Sequence, residues 1–252
     1  MQFFIIRSSP ILMALLFLVS AHLLRYAYQQ WMIIFLVNTL VISGYFGWLA
    51  WRLERLYFWP LLFYVLILFW VGMGSIIFMP SQILVQSVIV LWTVFVLILF
   101  EALFHYLYKT EKRYLADVAQ VVNYYNGIIF FAFVAIVFNG IIFLRFNPLL
   151  AWFSIGVVGA ILFFTQLRIN KAQRDISLAL FVGLMCVQFV FALHFLSLGV
   201  HVVAAITTLG FYWMTSVILA NIGYMLTQRR FITYSVVTIL LMGVVLFSAQ
   251  WL

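Results

Sequence analysis

Apolar residues in this chain come in long unbroken runs, with neither the alternation of a half-buried strand nor the one-sided stripe of a surface helix. Nine runs can be drawn, at about 10–24, 31–51, 58–79, 83–108, 119–144, 148–167, 176–196, 200–226 and 231–251. A helix needs roughly 20 apolar residues to cross a bilayer, and most of the runs reach that length. The run from Phe58 to Met79 is apolar on every face, which excludes the alternating strands of a membrane barrel. In lipid the backbone must satisfy its own hydrogen bonds, so the runs predict α-helices. Pro10 and Pro148 are placed at helix starts, where a missing N–H costs nothing; Pro60 falls in a first turn and Pro80 stops the third run. The expectation is all-α: a polytopic transmembrane helix bundle of nine spans, eight if the short first run lies in the interface, forming one transmembrane domain over residues 1–252.

The cations give that count an orientation. The N-terminal segment and the connections after spans two, four, six and eight hold Arg7, Arg52, Arg55, Lys109, Lys112, Arg113, Arg168, Lys171, Arg174, Arg229 and Arg230. The opposite side holds only Arg25 and Arg145. Such a bias puts the N-terminus in the cytoplasm and, with nine spans, the C-terminus outside. A single miscounted span would move every later connection across the membrane and blur the asymmetry.

Composition agrees. The 252 residues are 68% hydrophobic and 7% charged, and their mean hydropathy is +1.24. A soluble domain is about a quarter charged, so lipid must solvate most of this surface. The net charge of +8 therefore reads as a topology signal and an attraction to anionic lipid, and nucleic acid is not an expected partner. Cys186 is the single cysteine, so no disulfide forms within the chain and the thiol reads as a small packing residue. Tryptophan and tyrosine near span ends form an ordinary interfacial belt. No small-x-small cleavage site follows the first run cleanly, so it reads as an uncleaved span.

Shifting the chain by 117 residues lays spans two to five over spans six to nine without gaps. Phe78 falls on Phe195, and Lys112-Arg113 on Arg229-Arg230. This is a weak parallel repeat, 28–144 on 145–252, of the kind some transporters carry. Evenly spaced hairpins produce the same register without duplication.

Few side chains within the runs carry chemistry. Glu101 is the only carboxylate well inside an apolar run; Glu54, Glu111, Asp117 and Asp175 lie in or beside basic connections. His105 is one turn on and shares its face. Asn123 and Asn126 return at the same level on the next span, and Asn221 lies at a similar depth on the eighth. Glu101, His105, Asn123, Asn126 and Asn221 thus form a candidate intramembrane polar cluster, able to relay protons, bind a cation or simply fasten helices. Towards the outer face, His22, Arg25, His194 and His201 are candidate ligand or headgroup contacts, but their spacing matches no metal motif. Asn38, Asn139, Gln82, Gln86 and Gln188 read as interhelical hydrogen-bonding groups. Gly72-x-Gly74 and Gly156-x-x-Gly159 read as points of close helix approach.

The absences narrow the chemistry. The sequence holds no P-loop, no HExxH, no GxSxG and no CxxCH motif. All three lysines lie in connections, which excludes a mid-membrane Schiff base, and the outer side holds no carboxylate for an outward-facing glycosyltransferase. No cofactor and no metal is implied.

The stretch Leu193 to Gly199 (LHFLSLG), then Tyr212-Trp213, then Gln228-Arg229-Arg230, resembles the C-terminal part of uncharacterised polytopic membrane proteins of bacterial candidate phyla. That resemblance covers about the last quarter of the chain. It implies an all-helical multi-pass protein of a bacterial inner membrane and no site residues.

Together these features point to a multi-spanning membrane component without catalysis, a scaffold for lipid, for a membrane-protein partner or for a second copy of itself. The alternatives are a small transporter or channel using Glu101 and His105, and a membrane enzyme acting on lipid from the cytoplasmic side.

Overall fold

A computed structural model of the chain describes residues 2–53, 58–108, 112–169, 176–196, 198–223 and 227–249. Nine α-helices fill those residues, and no strand occurs among them. They are α1 (Gln2–Tyr26), α2 (Trp31–Leu53), α3 (Phe58–Ile77), α4 (Gln82–Tyr108), α5 (Lys112–Leu144), α6 (Pro148–Ile169), α7 (Ile176–His194), α8 (Val200–Ile222) and α9 (Gln228–Ser248), with a 3₁₀ turn at Tyr28–Gln30. All but α3 contain an apolar stretch long enough to cross a membrane; α3 contributes a shorter one, Leu61–Ile77. Large apolar side chains such as Ile83, Phe143, Leu150, Leu180 and Phe247 face outwards, which suits lipid and not water.

One expectation needs correction. Pro10 does not start a helix: α1 begins at Gln2 and carries the proline in its interior. The apolar residues Phe3 to Ile6 continue the helical run ahead of it, and interior proline is tolerated in membrane helices because neighbouring groups satisfy the freed carbonyl. The first helix is well packed within its unit. Its Phe17 and Ala21 are fully buried, and it packs on α2, α3 and most extensively on α4.

The chain forms two compact units, 1–122 and 123–252, with the division inside α5. In the first unit α1 and α4 run antiparallel: Arg25 at the end of α1 donates to the Gln82 side chain at the start of α4, 3.1 Å away. Gly72 on α3 makes room for the rings of Phe17 and Trp92. The core between these helices holds Tyr64, Val65, Leu68, Phe69, Met73 and Ile89. At the α3–α4 hairpin, Ser81 caps α4 by accepting from the Leu84 amide at 3.2 Å, directly after Pro80.

In the second unit the helices are joined by tight connections. Asn147 caps α6, its side chain accepting from Leu149 at 2.9 Å, with Pro148 at the first helical position as expected. Ahead of it Arg145 adopts φ 53°, the left-handed conformation that reverses the chain. The Phe146 ring lies over Gly140, where a larger residue would collide with it. The closest approach in this unit joins α6 and α7, where Gly156 and Gly183 meet backbone to backbone: a Cβ on Gly183 would stand 2.5 Å from the Gly156 carbonyl oxygen. One turn away, Cys186 packs against Gly159 and is buried, as a small packing thiol should be. Phe130 of α5 stacks on Phe211 of α8, with centroids 4.4 Å apart.

Candidate functional site

Hydroxyl groups inside the helices are mostly satisfied within their own turn. Thr39, Ser87, Thr93, Thr165, Thr207, Thr208 and Thr233 each donate to the carbonyl four residues back. Amides reach further and join helices. In the first unit Asn38 of α2 is the hub of a buried contact: Ser20 of α1 donates to its Oδ1 at 2.9 Å. Its Nδ2 donates to its own helix at Ile34, 2.7 Å, and faces the sulfur of Met73 on α3 at 4.0 Å.

The second unit has a matching pair of rungs. Asn123 and Asn126 stand three residues apart on one face of α5, as Leu162 and Gln166 stand four apart on α6. Gln166 donates to Asn123 Oδ1, and Asn126 donates to the Leu162 carbonyl at 3.3 Å. Asn126 and Gln166 are both buried. The Oδ1 of Asn126 has no hydrogen-bond partner among the described residues. Gln166 was not among the sequence candidates: it lies near the end of its run, one residue before Leu167 and two before Arg168.

The other members of the candidate polar cluster are Glu101, His105 and Asn221. Glu101, on α4 in the first unit, is exposed. The side chain of His105 lies outside the described residues. Asn221, near the end of α8, is exposed and is not part of the α5–α6 rungs. Within the second unit Asn123 and Asn126 are both engaged with α6.

The outer-side candidates divide between the two units. His22 shares a hydrogen bond of 2.9 Å with the Leu18 carbonyl of its own helix, and Arg25 binds Gln82. His194 ends α7 exposed, with three rings beside it: Trp152 at 5.0 Å, Phe195 at 6.1 Å and Phe138 at 6.4 Å between centroids. Trp152 is buried, its indole N–H has no hydrogen-bond partner among the described residues, and the ring serves as packing for the α6–α7 end. His201 is exposed at the start of α8. Among the described residues no three His, Cys, Asp or Glu side chains gather as a metal site would require.

A concavity that sequence reasoning missed lies between α7, α8 and α9. It encloses about 500 Å³ and is lined by Met185, Gln188, Phe189, Ala192, Gly210, Trp213, Met214, Ser235, Thr238, Ile239 and Met242. Gly210 opens its floor, since a Cβ there would press on the Phe189 ring at 3.0 Å. At one end Trp213 donates its indole N–H to Ser235 at 3.1 Å, closing α8 on α9. The lining is almost wholly apolar and carries no titratable group, so it can hold a hydrocarbon but has no means to run acid–base or nucleophilic chemistry. No period in the sequence marks it, because its three walls come from separate helices that are apolar all round.

Residues 68–248 match the family described as protein of unknown function (DUF5656). The chain belongs to this family. The match begins within α3 and takes in α4 to α9, so the α5–α6 rungs, the Gly156–Gly183 contact and the groove all lie inside the family's part of the chain. No curated protein and no solved structure matches the chain.

Proposed function

We propose that this protein is a non-catalytic, multi-pass component of a bacterial inner membrane that engages lipid or a membrane partner through its helix faces. The observation that carries the reading is the placement of the polar side chains. Ser20, Asn38, Asn126 and Gln166 are buried, and each makes a hydrogen bond between or along helices. Glu101, the one acidic residue inside a run, is exposed on α4. The groove between α7, α8 and α9 offers hydrocarbon contact and no titratable group. The cation bias supports a cytoplasmic N-terminus and an external C-terminus, and the sequence resemblance supports the bacterial setting.

The test is flux. Wild-type protein and Glu101→Gln, reconstituted in vesicles, should both leave proton and monovalent-cation gradients as stable as protein-free vesicles do. Flux through the wild type that falls in Glu101→Gln would establish a transporter and overturn the proposal.

A further inference from the structure

We infer that the protein is a tandem duplication: α1–α4 and α5–α8 are two copies of one four-helix module, and α9 is added to the second copy. The 117-residue shift seen in the sequence sets the copies in register. The structure starts each copy one helix earlier than the hydropathy pattern does, at α1 and at α5. The duplication is independent of whether the protein moves ions.

Helix limits are the first support. Moved by 117 residues, α2 (Trp31–Leu53) falls on 148–170, where α6 is Pro148–Ile169. In the same way α3 (Phe58–Ile77) falls on 175–194, where α7 is Ile176–His194. Helix α4 (Gln82–Tyr108) falls on 199–225, over α8 at Val200–Ile222, and α1 (Gln2–Tyr26) falls on 119–143, inside α5 at Lys112–Leu144. The two compact units divide inside that same helix, between 122 and 123.

Evenly spaced hairpins would match in their limits alone. Spacing does not decide which side of each helix faces inwards, and that agrees too. On α1 and α5 the buried pairs are Met13 and Phe130, Phe17 and Val134, and Ala21 and Phe138. On α2 and α6 they are Asn38 and Ile155, Ile42 and Gly159, and Phe46 and Phe163. On α3 and α7 they are Val65 and Val182, Phe69 and Cys186, and Met73 and Val190. A slip of one residue turns a helix by about 100°, so a common phase on three helices fixes the shift at 117. Helices α4 and α8 share the buried pair Ile89 and Ile206 and then diverge, α8 carrying α9 on its flank through the Trp213–Ser235 bond.

Helix contacts repeat as well. Trp70 of α3 donates to Thr39 of α2 at 3.1 Å, and the shift carries this pair onto Val187 of α7 and Gly156 of α6, which pack against each other. The Arg25–Gln82 bond between α1 and α4 moves onto Ile142 and Gly199. The Phe130–Phe211 stack lies twelve residues inwards from those positions on α5 and on α8, in the same antiparallel register. One core layer shows how the copies differ. In the first, the Phe17 ring of α1 covers Gly72 of α3. In the second, the equivalent residues are Val134 and Phe189: the ring has moved to α7 and lies on Gly210 of α8, where the first copy has Thr93. Both layers keep one ring over one glycine, and the groove beside Phe189 is the second copy's version of a layer that Phe17 fills in the first.

The test exchanges this layer between the copies in the full-length chain in detergent. Gly72→Phe alone drives a ring at Phe17, which already stands 2.7 Å from a Cβ at that position, and should lower the unfolding midpoint by about 3 °C or more. Phe17→Val/Gly72→Phe/Thr93→Gly gives the first copy the second copy's layer and should recover most of that loss. The reverse exchange, Val134→Phe/Phe189→Gly/Gly210→Thr, should melt above Phe189→Gly alone, which leaves a cavity. An exchanged layer no more stable than its single variant, in either copy, would overturn the duplication, as would a Gly72→Phe that melts with the wild type.

Discussion

Replacing Gly183 with alanine tests the α6–α7 contact at its tightest point. The added methyl would stand 2.5 Å from the Gly156 carbonyl oxygen and 3.0 Å from Ala160 Cβ. Ordinary contact begins near 3.4 Å, so the helices must part by about 0.9 Å at that turn. The obstacle is backbone, so no side-chain rotation relieves it. Overpacking of this kind costs about 1–3 kcal/mol. For a chain of this size that corresponds to a fall in unfolding midpoint of about 3–10 °C. Cys186 reports the event, because this single thiol is buried one turn away against Gly159. In detergent, a fluorogenic maleimide should label Cys186 at a lower temperature in Gly183→Ala than in the wild type. Gly44→Ala is the control, since a Cβ there meets nothing within 4 Å and alanine is the better helix former. An unchanged midpoint in Gly183→Ala, or an equal fall in Gly44→Ala, would refute the claim that this glycine pair sets the helix spacing.

Further predictions concern single bonds and topology. Asn38→Leu should lower the unfolding midpoint modestly, and a double-mutant cycle with Ser20→Ala should return a coupling of about 0.6 kcal/mol, the usual size in membrane helices; a coupling of zero removes Asn38 as a fastener. Gln166→Leu should destabilise the α5–α6 contact to a similar extent, and melting curves indistinguishable from wild type would contradict the rung geometry. Arg145→Gly should stabilise the α5–α6 turn by about 1 kcal/mol by relieving the left-handed conformation, read as a rise in midpoint. A reporter active only outside the cytoplasm, fused after Leu252, should be active; activity of a cytoplasmic reporter there instead would overturn the nine-span orientation.

Much of the fold was legible because the membrane imposes a simple rule. An apolar run bounded by cations or prolines has to be a helix, so the observed helices from α2 to α9 follow the runs closely, except that α5 begins at Lys112, well ahead of its run. The misreading of Pro10 has the same origin. In water an interior proline ends a helix, whereas in this chain the apolar residues before it kept α1 going. Packing was legible only where a small residue stood out, as at Gly156, Gly159 and Gly72. Depth and helical spacing put Asn123 and Asn126 on one face of their helix but did not name the partner of that face. Asn123 and Asn126 share a face with each other, and that face meets α6. Glu101 stands exposed on α4, in the other unit. The groove was invisible for a different reason: on helices that are apolar all round, a wall residue such as Met214 has the same signature as a lipid-facing one.

The account rests on the claim that the polar groups of this protein join helices and do not line a path. Gradient decay in vesicles bearing wild-type protein, set beside Glu101→Gln and protein-free vesicles, tests that claim most directly. The account predicts one and the same decay rate for all three. A faster decay with the wild type that Glu101→Gln slows would contradict it and make Glu101 a coupling residue.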